Sequence, residues 1–513
     1  MRNSSKWARL VLGCAVVVGL VLPTLATRHG VGVTDDSVIY LAGAAEIREG
    51  KGFRLSDLPG QQGSPITNYP PLFSVAVAGI GSFTSTSDLE AARVLEVLCL
   101  GLSVALAGWL VFRYTASLPV AAGAALVTAG SPTMLEVHSA AWSEPLFLVL
   151  TGGGLAATSV YLESGKRYAL WGAAALLGLA GLTRYAWPPF LAAGLLAVVV
   201  TRGVSLRSRL VDLTAYIALS VGPATAWAFR NLALGDQAFG WRSLYCELPS
   251  ANHVAAAATT LGAWLVPGTD RIQVVPAQQQ LLIAGLGAVV LAMAVAAVRQ
   301  SREDARAPAR FPAAFALVPP IYLGFLAFTI SCVDDLTPLD QRTLSPIFIP
   351  SLVVCAHLIV GVYQRADNLR FERAAVIGGA LFVAGYLAAG SLASAYLYQN
   401  GRGFGAPGWR YERLARWLEQ AGRNVRLVSN HPSAIRYLYN RPARSMRNAL
   451  GGVSAPEGFA VWFMDARQFE PTQAAAAKGA APIDDAFAVL APTLELVLED
   501  RNARVYRLGG SER

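Results

Sequence analysis

Charge is what this sequence has least of. Only 15% of its 513 residues are Asp, Glu, Lys or Arg, against about 25% in an ordinary soluble domain. Hydrophobic residues make up 54%, and the mean hydropathy is +0.43. That balance excludes a soluble globular chain and indicates an integral membrane protein. Cysteine is scarce as well. Cys14, Cys99, Cys246, Cys332 and Cys355 are scattered with no CxxC spacing, which argues against a structural metal cluster. Cys14, Cys99 and Cys355 fall in apolar runs and read as small buried residues. Cys246 and Cys332 fall in polar loops, where they are either bridged or free. Several signatures are missing altogether. No Walker A motif is present, which excludes ATP-driven transport, and neither GxSxG, HExxH nor a Rossmann fingerprint occurs in a loop. The energy for any reaction must therefore enter with the substrate.

What is there instead is a succession of apolar runs. A membrane-spanning helix needs about 20 apolar residues, and about eleven candidates meet or approach that length. They lie near 8–27, 90–112, 117–135, 144–162, 168–185, 187–201, 210–229, 279–298, 312–331, 345–363 and 374–397. The N-terminus resembles a signal peptide, but its apolar run is long enough to span, so it reads as a retained first helix. The net charge of +9 points to no nucleic-acid partner, because the cations sit in short loops between the runs. These loops hold Arg2, Lys6 and Arg9; Arg113; Lys166 and Arg167; Arg202, Arg207 and Arg209; Arg299, Arg302, Arg306 and Arg310; and Arg365, Arg370 and Arg373. With the helix count above, all of them fall on one side, which the positive-inside rule assigns to the cytoplasm.

The other side carries the polar mass: residues 28–71, 131–143, 230–278 and 332–344, and the chain after 398. The expected fold is therefore an all-α polytopic membrane protein with a small C-terminal α/β domain. Residues 1–397 form the transmembrane part, including the extracytoplasmic loop 28–85, and residues 398–513 form the α/β domain. Within the latter, GWRYERLARWLEQAG and PSAIRYLY read as helices, VRLVSN and FAVWFMD as strands, and LELVLEDRNARVYRL as a hairpin around Asn502. The Ala-rich stretch 473–481 reads as a surface helix or linker. The cytoplasmic loops are too short to fold into a catalytic domain, so any chemistry belongs at the outer interface.

Four constellations there carry chemical potential. The first is TDDSVIYLAGAAEIREGKGF, residues 34–53. Adjacent acids near a membrane interface are costly unless partnered or functional. Asp35 and Asp36 point in different directions on a helix, so one can act as general base toward an acceptor hydroxyl while the other helps hold a divalent cation. The blander reading has Asp35 cap the helix from about Ser37 to Glu49. Downstream, Tyr69-Pro70-Pro71 fixes an extended entry into an apolar segment near 72–83, too short to span and suited to an interfacial or re-entrant helix. The second is HSAAWSEPLFLVL, residues 138–150. Glu144, with Asp35 or Asp36, offers oxygen ligands to Mg²⁺ or Mn²⁺, with His138 a turn or two away; alternatively Glu144 stabilises a helix N-terminus and His138 is an interfacial histidine. The third, GLAGLTRYAWPPF, places Arg184 among aromatics, which suits a phosphate head group or ordinary snorkelling. The fourth, CVDDLTPLDQRTLSPIFIP, supplies Arg342 as a second phosphate partner, while Asp334, Asp335 and Asp340 read as a solvated loop. His431, in SNHP, reads as a turn residue.

Asp35-Asp36, Tyr40, Ala44-Ala45-Glu46-Ile47, Gly50, Gly52 and Tyr69-Pro70-Pro71-Leu72, in this order after a first helix, resemble the GT-C membrane glycosyltransferases. The likeness is to the bacterial branch similar to protein O-mannosyltransferases and aminoarabinose transferases. SEPLF (143–147), GLAGLTR (178–184), RTLSP (342–346) and SNHPSAIRYLYNRPA (429–443) extend it along the chain. The resemblance implies inverting transfer of a sugar from a polyprenyl-phosphate donor to a lipid, glycan or protein acceptor, outside a bacterial inner membrane. It implies Asp35 as general base, with Asp36, Glu144 and His138 in the acceptor or metal environment. Arg184 and Arg342 would hold the donor phosphate, and Tyr40, Tyr69, Pro70 and Pro71 would shape the loop. The sequence departs from the pattern in one place: the second acid of the pair is Asp36 where Glu is common, which shortens its reach toward a Mg²⁺ or Mn²⁺ ion. A transporter or flippase of lipid-linked sugars is the competing class; it calls for charged sites at mid-membrane and inverted repeats, and no repeat is visible.

Overall fold

The computed structural model describes residues 2–55, 63–200, 206–239, 247, 249–267, 312–334, 337–365, 369–422, 425–446, 458–464, 494–501 and 503–508. Seven of the described helices are long and apolar enough to cross a membrane. In chain order the helices are α1 (Arg2–Ala26), α2 (Asp35–Arg48), α3 (Leu72–Thr84), α4 (Asp88–Thr115), α5 (Leu118–Ala129), α6 (Pro132–Val137), α7 (Glu144–Ser164), α8 (Arg167–Gly181) and α9 (Pro188–Val200). Then follow α10 (Leu206–Ala233), α11 (Ala251–Leu265), α12 (Ala313–Cys332), α13 (Gln341–Leu344), α14 (Phe348–Arg365), α15 (Leu369–Asn400), α16 (Glu412–Gln420) and α17 (Pro432–Tyr439). Ten of the expected spans coincide with helices; the one near 279–298 lies outside the described residues. The expected span 117–135 is two helices. Pro132 opens α6, and the Ser131 hydroxyl accepts from the Met134 amide at 3.4 Å as its cap.

The chain divides into two compact units. The first comprises residues 1–26, 67–73 and 94–396; the second comprises 27–66, 74–93 and 397–513. Most of loop 28–85, assigned from sequence to the transmembrane part, thus belongs with the C-terminal segment.

In the first unit the helices meet through small residues, as expected where lipid supplies no hydrophobic drive between helices. A Cβ at Gly154 of α7 would press on Leu177 of α8 at 2.9 Å, and one at Gly178 of α8 on the Leu219 carbonyl of α10 at 2.7 Å. Gly390 of α15 lies directly against the backbone of Gly130, just past α5. Side-chain hydrogen bonds fasten the same bundle: the Ser394 hydroxyl donates to the Leu22 carbonyl at 3.0 Å and the Tyr386 hydroxyl to the Trp264 carbonyl at 2.6 Å. Apolar side chains such as Leu381 and Leu392 of α15 face outward, where acyl chains would meet them. Cys14 is also exposed, contrary to its reading as buried, because it lies on the outward face of α1; Cys99 is buried and Cys355 partly so. Cys332 is partly buried, and Cys246 lies outside the described residues.

The second unit is built on a five-stranded sheet in the order β2-β1-β3-β5-β4, from β1 (Leu427–Ser429), β2 (Arg444–Ser445), β3 (Gly458–Phe463), β4 (Glu495–Asp500) and β5 (Ala503–Leu508). β1 runs parallel to β2 and β3, while β5 pairs antiparallel with both β3 and β4. The helices, strands and hairpin expected there all form; β2, two residues long, carries no pattern a sequence reading can detect. The stretch 473–481 lies outside the described residues. Val33 and Val38 join Phe404, Trp409, Tyr411, Leu414, Val461 and Val505 in one core. His431 precedes α17 and packs edge-on against Trp409, 5.6 Å between ring centres.

Gly390 tests the bundle. Replacing it with Val puts a branched side chain into the Gly130 backbone, and overpacking of this kind costs about 1–3 kcal/mol. Gly390→Val should lower the melting temperature of the detergent-purified protein, whereas Gly379→Ala, where added atoms meet nothing within 4 Å, should leave it unchanged.

Candidate active site

Three of the four sequence-derived constellations converge in the first unit. Glu144 opens α7 and is 1% exposed. Its Oε1 accepts from Nη1 of Arg184 at 2.6 Å and from Nε of Arg342. Arg184, two residues beyond the α8 cap at Leu182, also donates to the Ser143 hydroxyl at 3.1 Å. Arg342 lies in α13, its guanidinium 4.3 Å from the centre of the Trp142 ring. A carboxylate this buried is tolerable only when paired, and here two cations share one oxygen. The trio carries a net charge of +1, held on two guanidiniums that remain about one-fifth exposed.

The segment before α13 contributes unexpectedly. Asp340, read as solvated, is enclosed; its carboxylate caps α13 by accepting from the Thr343 amide at 2.9 Å, in a reciprocal capping box. Burial pushes its carboxyl above the usual range, opposed by the Thr343 bonds and by Arg342. The DQRT spacing in the sequence is the signature of this cap.

Residues 67–73 lie across the Arg184 segment. The Leu72 amide donates to the Leu182 carbonyl at 2.9 Å, and the Thr67 carbonyl accepts from Tyr185 at 3.2 Å and from Asn231 at 3.1 Å. Tyr69, Pro70 and Pro71 are thereby held between two anchored ends.

Asp35 and Asp36 belong to the second unit, in the first turn of α2. The N-cap is Thr34, not Asp35, and it makes no side-chain cap bond. Both acids are half-buried and sit where the helix dipole favours negative charge. The strand just before them is fixed. Val33 bridges Gly403, and its carbonyl accepts from the Phe404 amide at 2.7 Å. Gly403 has φ +59° and touches the Val33 backbone, so only glycine fits. Tyr40 is buried, and its carbonyl accepts from Ser74 of α3 at 2.8 Å.

His138 is fully buried. Its Nδ1 bonds the Met134 carbonyl at 2.7 Å, and burial pushes its pKa down to about 4, so the ring is neutral near pH 7. Among the described residues no cluster of three or more His, Cys, Asp or Glu side chains forms a metal site. Glu144, assigned from sequence to Mg²⁺ or Mn²⁺, is instead occupied by two guanidiniums; that surrounding positive charge does not fit a divalent cation on the same oxygen.

Solved structures share this architecture. The structure of ArnT from Cupriavidus metallidurans in the apo state matches with a TM-score of 0.50 and 15% identity, covering 98% of both chains. The same protein bound to undecaprenyl phosphate matches at 0.51 with 14% identity over 99% of both. The archaeal oligosaccharyltransferase AglB from Archaeoglobus fulgidus, in complex with an inhibitory peptide and a dolichol-phosphate, matches at 0.55 with 13% identity, covering 92% of this chain and 72% of that one. No protein-family model matches the sequence, and no curated protein matches it. The chain thus has the fold of the GT-C glycosyltransferases, as its motifs suggested.

Glu144 holds together two cations that would otherwise repel. Glu144→Ala should cost about 3–5 kcal/mol, the penalty of leaving buried charge unpaired, read as a lower melting temperature. Loss of no more than a degree or two would show that the arginines find other counterions.

Proposed function

We propose that this protein is a membrane glycosyltransferase that moves a sugar from a polyprenyl-phosphate donor to an acceptor hydroxyl at the extracytoplasmic face, with inversion. The observation that carries this reading is the pair of arginines gripped by Glu144. Such a site suits a phosphate that gains charge as it leaves. In the donor, the phosphodiester carries one negative charge, matched to the net +1 of the trio. When the bond from the anomeric carbon to the phosphate oxygen breaks, the leaving polyprenyl phosphate becomes a monoester with more charge on its oxygens. Two fixed guanidiniums stabilise that product-like state more than the ground state, which lowers the barrier. ArnT, which shares the fold, has been seen with undecaprenyl phosphate.

The geometry of α7 supports this face. Its 21 residues span roughly 30 Å at ~1.5 Å per residue, the depth of a hydrocarbon core. At its far end are Arg113, paired with Glu163 at 2.7 Å, and Arg167, paired with Asp212 at 2.8 Å. These belong to the cation-rich loops that the positive-inside rule assigns to the cytoplasm, which supports a reading with the Glu144 end outside.

In this reading Asp35 takes the proton from the acceptor hydroxyl, whose oxygen attacks the anomeric carbon opposite the phosphate. One displacement inverts the configuration. Asp36 orients the acceptor. The donor set around Glu144, with two guanidiniums on one oxygen, does not fit a metal ion. The acceptor class, whether lipid, glycan or protein, depends on surfaces beyond this charge arrangement.

The roles separate experimentally. Asp35→Asn should leave binding of undecaprenyl phosphate intact and reduce transfer by about 10²–10⁴-fold, the usual loss on removing a general base. Arg342→Ala should weaken that binding about 10- to 100-fold, the loss of one charge-assisted hydrogen bond. Transfer measured with membrane-extracted donor and radiolabelled sugar, beside binding by native mass spectrometry, distinguishes them. Undiminished transfer by Asp35→Asn would remove it as the base.

A further inference from the structure

Glu96 lies in the apolar run AARVLEVLCLG, about two turns into α4. An ionisable residue inside a membrane span calls for a partner or a function. Its side chain is fully buried, and neither carboxyl oxygen has a side-chain hydrogen-bond partner. Glu96 and a second buried carboxylate, Glu144, interact electrostatically. Trp142 connects them, its backbone facing Glu96 and its ring under Arg342. Glu144 has one oxygen between the two arginines and a second, Oε2, buried with no partner. The structure therefore contains two buried, electrostatically coupled carboxyl groups, each with oxygens that make no hydrogen bond, and two arginines paired with one of them.

Two adjacent buried carboxylates do not both ionise without compensation. Arg184 and Arg342 fix the charge on Glu144, which leaves the proton to the other group. We infer that Glu96 is a neutral positioning residue whose carboxyl O–H donates to Oε2 of Glu144. This bond satisfies both orphaned groups and holds Glu144 so that Oε1 stays on the arginines. It also sets the charge available to a ligand. With Glu96 neutral the four residues carry +1; with Glu96 ionised they would sum to zero, and the site would have no excess charge for an anion. The inference rests on the lipid-phosphate reading for its consequence, but not for the protonation itself.

The full-length, detergent-purified protein tests both. Infrared difference spectra between wild type and Glu96→Gln at neutral pH should contain a protonated-carboxyl C=O band that is absent from the variant and shifted in Glu144→Gln. No such band would overturn the inference. Glu96→Gln keeps a neutral donor of similar size and should bind undecaprenyl phosphate within about twofold of wild type. Glu96→Leu, which keeps volume without a donor, should bind about tenfold or more weakly at a comparable melting temperature, since each factor of ten is one unsatisfied buried acceptor of modest cost. Equal weakening by Gln and Leu, or none by Leu, would also overturn it. Failure of wild type to bind the lipid phosphate would instead count against the donor-site reading, with the infrared band still deciding the state of Glu96.

Discussion

The ion pair at the head of α7 is the constraint around which the first unit is organised. Three segments far apart in sequence deliver Glu144, Arg184 and Arg342 to one point, and each would be unwelcome there alone. A lone carboxylate or guanidinium at such depth carries a desolvation cost of several kcal/mol. Together they convert that cost into a fixed positive site, and the surroundings follow from keeping it so. Asp340 ends the approach to α13 with a capping box, Trp142 lies under one guanidinium, and residues 67–73 are tied across the segment that bears the other.

The transmembrane layout was legible because it depends on composition alone. Runs of about twenty apolar residues have few other structures open to them, since every backbone polar group must be satisfied within the segment. Where the run was read too long, at 117–135, a Gly-Ser-Pro sequence ended one helix and capped the next. In the C-terminal domain, alternation and amphipathic spacing located both helices and the longer strands. The sheet order could not be read, because pairing between β1, β3 and β5 depends on contacts that cross the chain.

The site was legible in its parts and not in its assembly. Asp35, Glu144, Arg184 and Arg342 stand out as charges near apolar runs. Nothing local says that Glu144 is the counterion of the two arginines rather than a metal ligand; Arg342 is 198 positions away, and only helix packing brings them together. Glu96 was legible in principle, as a charge inside a span, but it was absorbed into the hydropathy of its neighbours. Asp340 was misread for the opposite reason: a polar stretch suggested solvent, while its side chain is enclosed and bonded to the helix it starts.

The bridge between Val33 and Gly403 has a consequence for biosynthesis. The helix that begins at Asp35 emerges early from the ribosome, but the backbone partner that fixes its entry is made only after all the described membrane helices have been synthesised. The acidic pair thus waits, incompletely anchored, until the last part of the chain is translated and folded. A chain ending between Asn400 and Gly403 would still hold the described membrane helices, yet it would lack the glycine that meets the backbone leading into α2. Quality control over the acidic helix is in this way written into the order of synthesis.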